Sequence, residues 1–178
     1  KQARAVIDTD PRLSEMTRIF LRELYDDIAR ECERIKSIEQ KLKDLFKANE
    51  DCQRVAALPG IGYLAATYLV SFIGDPAIYK NGRGVSAHIG LVPRQHSTGG
   101  KEVLLGISKQ GDKYLRTLLV HGARSVLFHA GKKEDRDSRW LMSLKERRGQ
   151  NKACVAQANK TVRRAWAILM GHEPRHAA

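Results

Sequence analysis

Residues 51–74 read DCQRVAALPGIGYLAATYLVSFIG, two apolar runs joined through Pro59-Gly60-Ile61-Gly62. The first run predicts a short helix over residues 53–57. The second predicts a helix over residues 63–72, stopped by Gly74. Residues 55–74 carry no charge, which raises the question of a membrane span. A spanning helix needs about 20 unbroken apolar residues, and Pro59, Gly60 and Gly62 interrupt this one near its start. A tight turn followed by a buried helix fits better.

Upstream, Asp10-Pro11 predicts a helix opening, with Asp as cap and Pro at the first helical position. No Gly or Pro follows before Pro59. Leu21, Leu24, Ile28, Ile35, Ile38, Leu42 and Leu45 keep a heptad stripe in which only Glu31 is out of place. That pattern predicts a linker and coiled-coil dimerisation arm over residues 1–50. A long amphipathic helix packed on its own domain would use the same stripe. Downstream, helices are predicted at 84–89, 112–130, 138–148 and 151–170, the last with Val155, Ala158, Val162, Ala165, Trp166 and Leu169 on one side. Residues 91–111 are Gly-rich, and only 103–107 read as a strand or half of a hairpin. The fold class is mainly α: a long coiled-coil-like helix, then a compact helical domain over 51–178 containing a helix-hairpin-helix and a Gly-rich loop or short β-hairpin.

Charge divides the chain in the same place. The 178 residues carry a formal +12, yet residues 1–50 hold eleven basic and eleven acidic residues. Residues 51–178 therefore carry the whole excess, which points to an anionic partner and to two segments with different jobs. Aromatic residues are 6% of the chain, so base stacking is not expected to dominate a nucleic-acid contact. Cys32, Cys52 and Cys154 are too widely spaced for a zinc site and read as reduced thiols of a cytoplasmic protein. No signal peptide is visible, and a chain starting on Lys reads as part of something longer.

Three motifs bear on chemistry. Leu58-Pro-Gly-Ile-Gly62 matches a helix-hairpin-helix turn, in which Gly60 and Gly62 bring backbone N–H groups close to a phosphate. An ordinary tight turn between packed helices is the plainer use. Pro93-Arg-Gln-His-Ser-Thr-Gly-Gly-Lys101 sets Ser97 among Arg94, His96 and Lys101. It is neither a phosphate-binding Walker loop nor a G-x-S-x-G elbow. A serine there can attack a phosphodiester if a base or metal takes its proton, though most such serines only form turns. Gly106-Ile-Ser-Lys-Gln-Gly-Asp-Lys-Tyr-Leu-Arg116 opens a helix with Lys109, Lys113 and Arg116 near its start, a backbone clamp or a solvated basic face. Asp8 and Asp10 suit capping better than metal binding. Pro174 breaks the spacing of His172 and His176, and no metal site is expected in this segment.

LPGIGYLAA, SAHIGLVPRQHSTGGKE and GISKQGDKYLRTLLVHGAR, in this order, resemble the C-terminal domain of insertion-sequence 110-type transposases, in the subgroup around insertion sequence 1111. The resemblance covers essentially the whole chain, with residues 12–50 matching the coiled coil that joins two domains and pairs subunits. It implies a bacterial DNA recombinase whose separate RuvC-like domain holds Mg²⁺ on acidic ligands, while the C-terminal domain supplies a nucleophilic serine. It also implies DNA and a structured guide RNA as partners, and a homodimer or higher oligomer. Ser97 stands at the position of that serine, with Ser86, Ser108 and Thr98 as rival hydroxyls. Some members place Gly directly after the serine, where this chain has Thr98.

The expectation is therefore a domain that binds DNA through Gly60, Gly62, Arg94, Lys101, Lys109, Lys113 and Arg116. Ser97 becomes the attacking group only beside the RuvC-like domain, so this segment alone binds without cutting. The alternatives are a non-catalytic helix-hairpin-helix DNA-binding module and a dimerisation scaffold. The scaffold leaves the +12 without a purpose.

Overall fold

A computed structural model describes residues 2–98 and 101–172 of the chain. They form helices α1 (Gln2–Thr9), α2 (Glu15–Ala48), α3 (Glu50–Ala56), α4 (Tyr63–Ile73) and α5 (Gly82–His88). Strands β1 (Pro93–Thr98) and β2 (Lys101–Ile107) follow, then α6 (Lys113–Ala130), α7 (Arg136–Arg148) and α8 (Gln150–Leu169). The protein is mainly α, with one two-stranded antiparallel sheet among the described residues. None of the helices is long and apolar enough to cross a membrane. The chain divides into two units, Lys1–Asp44 and Leu45–Ala178, with the boundary inside α2.

In the first unit, α1 ends where a helix was expected to begin. The Asp10 carboxylate does not open α2; it accepts from the backbone and guanidinium of Arg12 in the turn between the helices. Ser14 starts α2 instead, its hydroxyl accepting from the N–H of Thr17. Asp8 pairs with Arg22 and Asp26 with Arg4, so α1 lies along the start of α2 through charge rather than apolar burial. No residue of α2 is buried. Leu24, Ile28, Ile35 and Ile38 remain 48–63% exposed.

The long helix ends at Ala48 and α3 starts at Glu50, where a separate short helix was expected from residue 53. Asn49 interrupts it, in an extended conformation, by accepting from the N–H of Cys52 and capping α3. Short polar side chains compete with the helical ladder for N–H groups, and a cap is where they win. Asn81, Asp112 and Asp135 cap α5, α6 and α7 in the same way.

Helix α8 is the hub of the second unit and touches α3, α5, α6 and α7. Its inner face carries Ala153, Cys154, Ala158, Val162, Ala165 and Ile168, and the three alanines let neighbours approach closely. Leu115, Leu119, Ala123 and Leu127 of α6 and Ala66, Leu69 and Ile73 of α4 complete the core. Burying each larger side chain contributes roughly 1.5–3 kcal/mol. Arg54 of α3 donates to the Ile168 carbonyl at 2.7 Å, which also accepts from the Gly171 N–H at the end of α8.

Candidate nucleic-acid interface

The Leu58–Gly62 turn is held by its apolar residues, because Leu58 and Ile61 are buried beneath it. Gly60 has φ +82°, a conformation that favours glycine. A Cβ there would come within 2.6 Å of the Gly122 carbonyl oxygen, and one on Gly122 within 2.0 Å of the Gly60 oxygen. The missing Cβ of Gly60 thus admits the backbone of α6. Gly62 differs. It begins α4 without a side-chain cap, and nothing lies within 4 Å of where its Cβ would be. Of the two glycines, Gly62 leaves open space beside a helix N-terminus.

Residues 91–111, read above as a Gly-rich loop or short β-hairpin, hold the hairpin of β1 and β2. Gln95 pairs with Leu104, His96 with Val103, Ser97 with Glu102 and Thr98 with Lys101, after an irregularity between Pro93 and Gln95. Ser97 therefore lies in strand β1, two residues before Gly99-Gly100, which fall outside the described residues. The side chains of Ser97, Thr98 and Lys101 also lie outside them, as does His176.

The base of the hairpin is locked by close backbone packing. Gly90, at φ +79°, sits where a Cβ would meet the Gln110 oxygen at 2.2 Å, and a Cβ on Gly111 would meet the His88 oxygen at 2.0 Å. The Ser108 N–H donates to Val92 and the Lys109 N–H to Gly90. Arg116 completes the lock: one guanidinium nitrogen donates to the carbonyls of Ile89 at 2.8 Å and Gln110 at 3.0 Å. It was expected to hold a phosphate, but it is half-buried and joins α6 to both ends of the hairpin.

Asp112 fixes the other side of this corner. Its carboxylate caps α6 at Leu115 and accepts from the Tyr68 hydroxyl at 2.8 Å. The backbone bond from Leu115, the Tyr68 bond and the nearby Arg116 charge hold it below the ordinary carboxylate range. Its negative charge is directed inward, onto the helix end. Lys109, at φ +58°, and Lys113, the first residue of α6, are exposed beside it, and Arg94 is exposed on β1. Two of the rival hydroxyls are buried. Ser86 is fully buried with its Oγ 3.4 Å from the Asn159 carbonyl, and the Oγ of Ser108 is buried without a hydrogen-bond partner.

Among the described residues, no three of His, Cys, Asp and Glu come together as a metal site. The reading of isolated motifs missed Gly122, although a lone glycine inside a strong helical pattern is a signal of close packing. It also missed the outer face of α8, since only that helix's apolar periodicity was followed.

Residues 52–138 match the Transposase IS116/IS110/IS902 family. The chain is 53% identical over 150 residues to the transposase for insertion sequence element IS1111A of Coxiella burnetii, covering 84% of this chain and 41% of that protein. It is 45% identical over 150 residues to a probable family 20 transposase of Pseudomonas aeruginosa, covering 84% and 44%. It is 42% identical over 137 residues to the transposase for insertion sequence element IS1328 of Yersinia enterocolitica, covering 77% and 41%. The chain thus spans about two-fifths of the length of these relatives. A basic helical unit with a serine-bearing hairpin rooted at a helix start, matched to these proteins along most of its length, belongs to the IS116/IS110/IS902 transposase family.

Proposed function

We propose that this chain is a DNA-binding domain of a transposase and that it carries the serine that attacks the scissile phosphate. The observation that carries the reading is the corner where the hairpin meets α6. The strand bearing Ser97 is rooted beside exposed Lys109 and Lys113, with Arg94 on the same strand. Exposed cations and a helix start thus lie at the base of the hairpin. Burial of Ser86 and of the Ser108 hydroxyl supports Ser97 over two of its rivals. Attack forms an Oγ–phosphorus bond and breaks one phosphorus–deoxyribose oxygen bond, so the link keeps its energy for rejoining. Arg94, Lys101, Lys109 and Lys113 hold phosphates flanking the break, and Arg116 positions the hairpin. Gly62 admits a phosphate to the start of α4, and Gly60 holds that turn in place.

The RuvC-like domain implied by the resemblance, with its Mg²⁺ ligands, would lie in the remaining length of the relatives. The chain by itself binds DNA, and a structured guide RNA, without cutting. The exposed heptad stripe of α2 pairs with a second copy, making the active species a dimer. The open N-terminus of α4 favours one other reading, a helix-hairpin-helix module that grips DNA while Ser97 stays idle.

The decisive experiment places Ser97→Ala in a full-length transposase carrying this segment and measures excision of a marked element alongside DNA binding. Lost excision with unchanged binding is expected. Normal excision removes Ser97 from the mechanism and leaves the binding module.

A further inference from the structure

A groove of about 2030 Å³ in the second unit runs along the outer face of α8. Its α8 wall is a stripe with helical spacing that includes Lys152, Val155, Asn159, Arg163 and Ala167. From Asn151 to Gly171 that wall is about 30 Å long, the length of roughly nine base pairs of B-form DNA. The opposite wall brings Arg83 from the start of α5 and Trp140 from α7. Pro93, Leu105 and Ile107 at the base of the hairpin also line it. The groove is therefore continuous with the strand that carries Ser97. Its volume exceeds the roughly 300–1,000 Å³ of small-molecule pockets, and its length suits a polymer.

Charge selects the polymer. Asp137 engages Lys160 and Arg164 and neutralises part of the wall. Arg83, Lys152 and Arg163 are exposed and have no carboxylate partner among the described residues. Two flat apolar surfaces lie among these cations. The Trp166 ring is pinned by its N–H to the Pro76 carbonyl at 2.9 Å, and the Lys160 ammonium lies 4.2 Å from the Trp140 ring centroid. Unpaired cations beside fixed aromatic faces form the usual surface for a sugar-phosphate chain.

We propose that the α8 groove is a second nucleic-acid site, separate from the hairpin corner, which takes a polynucleotide along its length. Arg83, Lys152 and Arg163 contact phosphates, and the rings of Trp140 and Trp166 lie against sugars or bases. This rests on the reading of the chain as a nucleic-acid-processing domain. It adds a track leading the strand to or from the hairpin.

The chain has two tryptophans, and both line this groove. Intrinsic fluorescence therefore reports on this site. The test titrates the 178-residue chain with a 12-nucleotide DNA strand, an RNA strand of the same sequence and a 12-base-pair DNA duplex. Tryptophan emission and the anisotropy of an end label are followed together. Binding in any arm is expected to quench the emission, and that arm identifies the polymer. The double variant Lys152→Glu with Arg163→Glu should weaken it at least about tenfold and lower the salt slope by about two, roughly one per lost phosphate contact. Arg147→Glu with Arg148→Glu, exposed at the end of α7 and outside the groove lining, should leave the quenching in place. Binding without quenching, unaffected by the α8 reversals, overturns the second site alone and returns the groove to a protein partner. No binding in any arm overturns the nucleic-acid reading as well.

Discussion

Gly122→Ala puts a mid-helix glycine to a test whose sign separates local propensity from tertiary packing. Propensity alone predicts stabilisation by about 1 kcal/mol, because alanine is the better helix former. The structure predicts the reverse. The new Cβ would lie 2.0 Å from the Gly60 carbonyl oxygen and 3.0 Å from its carbon. Both are backbone atoms, so no rotamer change relieves the clash, and the turn has to move about 1 Å away from α6. Overpacking of this kind costs about 1–3 kcal/mol, enough to cancel or exceed the propensity gain. The net expectation is destabilisation by up to about 2 kcal/mol, a fall in Tm of several degrees for a unit of this size. Gly84→Ala is the internal control. Its Cβ would meet only the Tyr79 ring at 3.6 Å, an ordinary contact, so the propensity gain survives and stability rises by up to about 1 kcal/mol. Urea unfolding followed by tryptophan emission reads the unit that contains both substitutions. A Gly122→Ala protein as stable as Gly84→Ala, or more so, would refute the close-packing argument.

Three further outcomes follow from other parts of the structure. Arg116→Lys keeps the charge but is one bond shorter and withdraws the single nitrogen that donates to both carbonyls, so stability should drop by about 1–2 kcal/mol with an unchanged salt slope of DNA binding; unchanged stability with a shallower slope would make Arg116 a phosphate contact instead. Asp112, Asp135 and Asp137 are held below the ordinary carboxylate value: Asp112 chiefly by the Leu115 N–H and Tyr68, Asp135 by Ser138. For Asp137, burial pushes the carboxyl up, but the bonds from Arg164 and Lys160 outweigh it. Their contribution to stability is complete above the unfolded value near 3.8 and is lost as pH falls through the lower folded values. Thermal melts from pH 7 to pH 2 should therefore be level down to about pH 5 and fall below that, with Asp112→Asn reducing the acid-sensitive part. Finally, Cys32 is exposed whereas Cys52 and Cys154 are 3% and 1% exposed, and burial pushes both of the latter thiols up. A thiol reagent at pH 8 should label one site rapidly in the folded chain and three after denaturation.

Much of the architecture was legible before any coordinates. The Asp112 cap, the helical spacing of Leu115, Leu119, Ala123 and Leu127 in α6 and the stripe on α8 are local signals read over a few turns, and helix formation answers to such signals. The misreadings are local too. Asp10-Pro11 and Ser14-x-x-Thr17 are competing helix openings within one turn of each other, and the ion pairs of Asp10 with Arg12 decided between them. The break at Asn49 falls in the polar run Lys47-Ala-Asn-Glu50, ahead of the separate short helix expected from residue 53.

The sequence by itself determined that the protein is helical and basic over its second part, that it carries a heptad stripe, and that three ordered motifs tie it to a transposase family. Hydrophobic period, capping residues and net charge are properties of neighbouring residues, readable without a fold. Only the tertiary structure decided which side of each motif faces protein. It turned the Cβ position of Gly60 onto Gly122, which lies 62 residues further along the chain, aimed Arg116 at carbonyls rather than solvent, and gathered Arg83, Lys152 and Arg163 around one groove. These outcomes depend on how α6 and α8 dock on distant turns. Contacts between residues so far apart in sequence arise from close packing of the whole core, which leaves no periodic trace in the chain.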